Sequence, residues 1–182
     1  FAFWYFKPAP IPRGLALVPA TIKALSAADA ALGRLYGLGA LIRDPELLLG
    51  PYLTQEAIAS SRIEGTQTSL SEVLQAEAGG GLTGSEDIAE VERYLAATRR
   101  GYELIKTLPI TQRLILDLHS ILLSGVRGQE KLPGEFRTSP VWVGSPTDSP
   151  DNALYVPPLP TDLPDLLADW ETFVNTPDDF PP

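Results

Sequence analysis

At 182 residues the chain has the size of one ordinary domain, or of one and a half small ones. With 44% hydrophobic and 20% charged residues it can bury a sizeable core, and a net charge of −9 argues against nucleic acid as a partner of this segment, because phosphate contacts need clustered Lys and Arg. There is no cysteine and only one histidine, His119, which excludes disulfides, thiolate sites and a multi-His metal centre within the chain, so no metal ligands are expected.

The opening FAFWYFKPAPIP is aromatic and proline-rich, without the basic start and uniform apolar core of a signal peptide. Pro8, Pro10, Pro12 and Pro19 disfavour a helix, so residues 1–19 read as an extended arm. No methionine occurs even at position 1, and the chain reads as an excerpt of a longer protein or as a product trimmed at its start. Ile22, Leu25, Ala28, Leu32 and Leu35 recur at helical spacing and predict a helix over about 21–35, with Asp29 beside the stripe. The apolar stretch from Ala24 to Ile42 is broken by Asp29 and Arg34, and no run reaches the roughly 20 residues that span a bilayer. The expectation is a cytoplasmic protein with no membrane partner.

A short helix is expected over 53–64, stopped by Gly65, and Ser69-Leu70-Ser71-Glu72 fits a capping box opening another through about Glu77. Ser85 caps a long helix to about Thr107, with Ile88, Val91, Leu95, Tyr102 and Ile105 on one face. Thr111 starts a further helix that stops at Gly125. Between 140 and 157 the period changes: PVWVG and ALYVPP read as the strands of one β-hairpin around a turn-rich stretch from Ser145 to Asn152. A last helix is expected over about 162–174, with Leu163, Leu166, Leu167, Trp170 and Phe173 on its apolar face. The fold class is therefore mainly α with one β-hairpin.

The most informative residues are Ser60-Ser61-Arg62-Ile63-Glu64-Gly65. The last turn of a helix carries partial negative charge and favours Lys, Arg or His, yet Glu64 sits immediately before the stop. Ala57, Ser60 and Ser61 share its face and are small, so another backbone can approach there. Two readings follow from the residues: a solvated glutamate at a frayed helix end, or a carboxylate held ready for a cation elsewhere in the fold.

Ser60-x-x-x-Glu64-Gly65 resembles the inhibitory-helix motif [Ser/Thr]-x-x-x-Glu-[Gly/Asn] of Fic proteins, and the run EAIASSRIEGTQTSLSEVL resembles the segment before the Fic core in members with an N-terminal inhibitory helix. The likeness continues in order: KPAPIP and AADAALGRLYGLG are similar to the family's N-terminal module, EVERYLAAT to its Glu-Val-x-Asn-Tyr helix with Arg93 in place of the Asn, and DLHSILLSG to its Leu-His-x-x-Leu-Leu helix. Pro133 to Arg137 match its Pro-Gly-x-x-Arg turn, and VWVG with LYVPP its flap hairpin.

The resemblance implies a Fic-like helical bundle, with residues 1–80 as the N-terminal module containing the inhibitory helix 53–64 and residues 81–182 as the first part of the core, including the flap 140–157. It implies a protein adenylyltransferase that moves AMP from ATP, with Mg²⁺, onto Ser, Thr or Tyr hydroxyls of a target protein. Glu64, held by Ser60 and followed by Gly65, would occupy an arginine that otherwise binds the ATP γ-phosphate. Val141, Trp142, Val143 and Gly144 would form the target-docking flap edge, and Gly134 and Arg137 would shape the turn beneath it. A homo-oligomer is compatible with the family.

The family's signature, His-Pro-Phe-x-[Asp/Glu]-Gly-Asn-Gly-Arg, is not among these residues, so no catalytic residue is assigned here and neither ATP nor Mg²⁺ is expected to bind this segment tightly. His119, flanked by Ile115, Leu116 and Leu122, reads as a helix-packing histidine instead. The rival readings are a non-catalytic module that inhibits a separate Fic chain in trans, and a helical scaffold with no chemistry left. Nothing in the residues supports or denies a further winged-helix module.

Overall fold

The computed structural model describes residues 2–14, 16–79, 85–145 and 147–176, and among them the regular structure is helical. Two compact units emerge: Gly14–Thr83, and Phe1–Arg13 together with Gly84–Pro182.

In the first unit, α1 (Pro19–Gly39) starts with Pro in its first turn, where the missing N–H costs nothing, and ends at Ala40 rather than near Leu35. Gly33 and Gly37 lie inside it, since a single glycine costs only about 1 kcal/mol relative to Ala and does not by itself end a helix. None of its residues is buried. α2 (Pro45–Ile63) also begins on a proline and carries Pro51 internally, so it is eight residues longer at its start than the pattern from Leu53 predicts. Thr54, Ala57 and Ile58 are its buried side chains, one helical face. α3 (Leu70–Glu77) packs against α2 and opens on the expected capping box: the Glu72 N–H donates to Ser69 Oγ and the Ser69 N–H to Glu72 Oε2 at 2.7 Å.

In the second unit, α4 (Glu86–Leu104) is capped by Ser85, whose Oγ accepts the Ile88 N–H at 3.2 Å. Its first half supplies the core with Ile88, Val91 and Leu95, whereas Tyr102 and Ile105 are exposed. α5 (Gln112–Leu122) is capped by Thr111 and packs along α4. A Cβ at Gly101 would lie 3.3 Å from a Leu118 methyl, which explains a glycine in mid-helix: it lets α5 approach. α6 (Leu163–Asn175), preceded by a 3-10 turn at Pro160–Asp162, packs on α5. Side chains of α6 tie its end to the start of α5, because Glu171 Oε2 accepts the Gln112 N–H at 2.9 Å and Asn175 Nδ2 donates to the Ile110 carbonyl at 2.7 Å.

The expected hairpin at 140–157 is not formed. Among the described residues it reduces to one isolated antiparallel bridge, Val143 to Tyr155. Side chains close the connecting loop on itself: Asp148 accepts the Ser145 N–H at 2.5 Å and Asn152 the Ser149 N–H at 2.7 Å. Prolines at 140, 157 and 158 remove donors that a ladder between the two segments would use.

The arm joins the second unit through contacts that no local pattern announces. The Phe6 N–H donates to the Val156 carbonyl at 2.8 Å, Lys7 pairs with Asp162 at 2.7 Å, and the Ile11 N–H donates to Asp169 Oδ2 at 2.8 Å. Arg13 reaches the other Asp169 oxygen at 2.5 Å and lies over the Phe173 ring, 5.6 Å from its centroid.

Candidate functional site

In the first unit the candidate site is the turn that ends α2. Glu64 is the C-cap, Gly65 takes φ +98°, and the Gly65 N–H donates to the Arg62 carbonyl while the Thr66 N–H donates to the Ser61 carbonyl. This is a Schellman closure, and the residue after the cap must adopt the left-handed conformation that glycine reaches without a Cβ penalty. The turn holds the Glu64 backbone firmly while its carboxylate, exposed, makes no hydrogen bond or ion pair among the described residues.

The small face behind it is as the spacing suggests: Ala57 is fully buried, and Ser60 and Ser61 are half-buried. Ser60 does not hold Glu64. Its hydroxyl donates to Glu56 Oε1 at 2.9 Å, one helical turn back, because a carboxylate at i−4 lies on the same face of the helix.

Beyond the turn lies an open concavity of about 460 Å³, lined by Arg62, Gly65, Thr66, Gln67, Thr68, Ser69 and Glu72. Thr66 and Thr68 are buried. The carboxylate here is already engaged, since Glu72 accepts from the Ser69 hydroxyl and N–H, with the Thr68 hydroxyl at 3.3 Å. Those bonds, the Ser69 hydroxyl first, hold Glu72 below its ordinary carboxylate range. The concavity escaped the residue pattern, although Thr-Gln-Thr between a helix stop and a capping box is the signal that marks it.

In the second unit His119 is a structural acceptor. Its Nδ1 receives the Gly134 N–H at 3.0 Å, so the ring pins the 133–137 turn onto α5. Gly134 has φ +83°, and a Cβ there would come within 3.1 Å of the Ser120 Cβ, so the turn depends on glycine twice over. Arg137, at the end of the turn, donates to the Pro158 carbonyl at 2.6 Å and thereby braces the segment that follows Tyr155. Its Nε is buried without a partner among the described residues, as is Asp162 Oδ2.

Val141, Trp142, Val143 and Gly144 form an exposed extended segment. Val143 turns both its N–H and its carbonyl toward Tyr155 and Leu154, so its main chain is spent on the bridge.

The described residues contain no cluster of three or more His, Cys, Asp or Glu side chains able to hold a metal, and no helix long and apolar enough to cross a membrane. The concavity carries Arg62 at a helix C-terminus, whose partial charge disfavours phosphate, and Glu72 is committed to its capping box.

A family model described as Fic/DOC family N-terminal matches residues 22–103. The fold is similar to the crystal structure of a Fic family protein from Desulfovibrio desulfuricans G20, with a TM-score of 0.68 and 18% sequence identity. That match covers 91% of this chain and 48% of the other, so the chain spans about half the length of the protein it resembles.

Proposed function

We propose, from the match of a family model described as Fic/DOC family N-terminal to residues 22–103, that the chain is the regulatory part of a Fic-type protein adenylyltransferase restrained by Glu64. The observation that carries this reading is the end of α2: a Schellman turn fixes the backbone at Glu64 and leaves its carboxylate exposed and without a partner among the described residues. Such a group can take a guanidinium as a bidentate partner, and an arginine so occupied no longer holds a nucleotide phosphate. Ser60 takes no part in this, because its hydroxyl is bound to Glu56.

ATP and Mg²⁺ would bind at the His-Pro-Phe signature, which these residues lack, and the chemistry of AMP transfer belongs to that region. The partner is a protein presenting a Ser, Thr or Tyr hydroxyl on an extended segment. Its docking edge would be the exposed segment of Val141, Trp142, Val143 and Gly144, by main-chain hydrogen bonds that tolerate varied side chains. Gly134 and Arg137 act indirectly, as supports of that segment through His119 and Pro158.

The test is Glu64→Gly in a reading frame that contains both this chain and the signature: AMP transfer from labelled ATP should rise. Unchanged transfer would remove Glu64 as the brake. A neighbouring chain that carries the signature, and whose activity falls when this chain is added, would establish the module acting in trans. The absence of the signature from both places would leave the scaffold reading.

A further inference from the structure

The arm is held as a ligand is held. From Phe6 to Arg13 it runs extended, with prolines at 8, 10 and 12, and it meets the second unit through two main-chain donors, two cations and one ring. The donors are the Phe6 and Ile11 N–H groups, on the Val156 carbonyl and on Asp169. The cations, six positions apart in sequence, are Lys7 on Asp162 and Arg13 on Asp169, with Arg13 also donating to the Asp169 carbonyl and covering Phe173. The Phe6 ring rests at 6.0 Å from that of Tyr155.

We propose that the surface formed by Tyr155, Val156 and the Asp162–Asp169 side of α6 is a groove for an extended, proline-rich peptide with two cations, and that the chain's own residues 6–13 close it as a releasable latch. Three features support the assignment. A proline-rich segment is extended before it binds, so little order is lost on docking. The charges are complementary, acidic on the groove and basic on the peptide. The latch is also shallow on the arm's side: Phe6 is 53% exposed, and the Lys7 and Arg13 side chains are 62% and 36% exposed in their ion pairs, against 12% and 29% for Asp162 and Asp169. Ion pairs whose cations are this exposed are weakened by salt, so the closed state can open. The arm competes in cis at an effective concentration of about millimolar, as tethered ligands do, so a peptide in trans gains entry when the latch is loosened.

The experiment uses the full chain and a fluorescent peptide of residues 2–14, AFWYFKPAPIPRG, read by anisotropy. A chain carrying Lys7→Glu and Arg13→Glu, shown to be folded by circular dichroism, should bind the peptide at least about tenfold more tightly than the unaltered chain, because its own arm no longer competes. Adding Asp169→Asn to that chain should weaken binding by about tenfold, through loss of the charged acceptor. Equal binding by the loosened and unaltered chains, or indifference to Asp169→Asn, overturns the proposal. So does dimerisation of the loosened chain with no peptide binding, which would assign the groove to a second copy. If the double variant does not fold, the unaltered chain decides: hydrogen exchange at the Phe6 and Ile11 amides should quicken between about 50 and 500 mM salt. Exchange that does not change with salt overturns a releasable latch.

Discussion

Replacing His119 by alanine should expose how much one acceptor contributes to this fold. The Gly134 N–H, part-buried, has His119 Nδ1 as its partner at 3.0 Å. Truncation leaves that donor unsatisfied, at a cost of about 1–3 kcal/mol, and removes the packing of a half-buried ring. Taking about 2 kcal/mol as the centre, a chain of this size should lose roughly 4–8 °C in Tm. His119→Asn is the informative control, because its Oδ1 stands close to where Nδ1 stood and can accept the same bond. It should recover more than half of the loss. Thermal unfolding followed by circular dichroism measures both variants, and hydrogen exchange at the Gly134 amide reports the turn itself, which matters because two compact units need not melt together. If the alanine variant loses less than about 0.5 kcal/mol, or the asparagine variant loses as much as the alanine one, the bond does not hold the turn.

Ser69→Ala should cost about 1 kcal/mol by removing the N-cap of α3, and it should return the Glu72 carboxyl toward its ordinary range, measurable by NMR titration. The arm should be pH-sensitive at both extremes: Asp162 is held below 3.8, first by its hydrogen bond from Lys7, and Lys7 is held above 10.5, first by its bond to Asp162. Its anchoring is therefore complete between those values, is lost as pH falls through the lowered Asp162 value, and is lost again as pH rises through the raised Lys7 value; the chemical shift of the Phe6 amide should stay constant between and move outside. Val143→Pro deletes the donor to Tyr155 and should destabilise the bridge, read as faster hydrogen exchange at the Leu154 and Tyr155 amides; unchanged exchange would show that the Val143 N–H does not hold it.

The starts of α3, α4 and α5 and the stop of α2 were legible because they are local chemistry, whereas the start of α2 at Pro45 and the run of α1 on to Gly39 were not. Ser69, Ser85 and Thr111 accept backbone donors in their own first turns, and Gly65 relieves a left-handed residue, so a few neighbouring side chains decide each outcome. The position of Glu64 at the end of α2 followed from the same signals, and the order of motifs along the chain pointed to the family. Pairing at 141–156 was not legible, because an alternating pattern only permits a ladder. Prolines at 140, 157 and 158 withhold donors from both segments, and among the described residues the pairing comes down to Val143 and Tyr155. Ser60 was placed on the right face but with the wrong partner, since helical spacing puts Glu56 and Glu64 equally near and only the rotamer chooses. The seat of the arm could not be read from sequence at all. Lys7 and Asp162 lie 155 positions apart, and a contact at that separation is set by how α5 and α6 pack, not by any pattern within either segment.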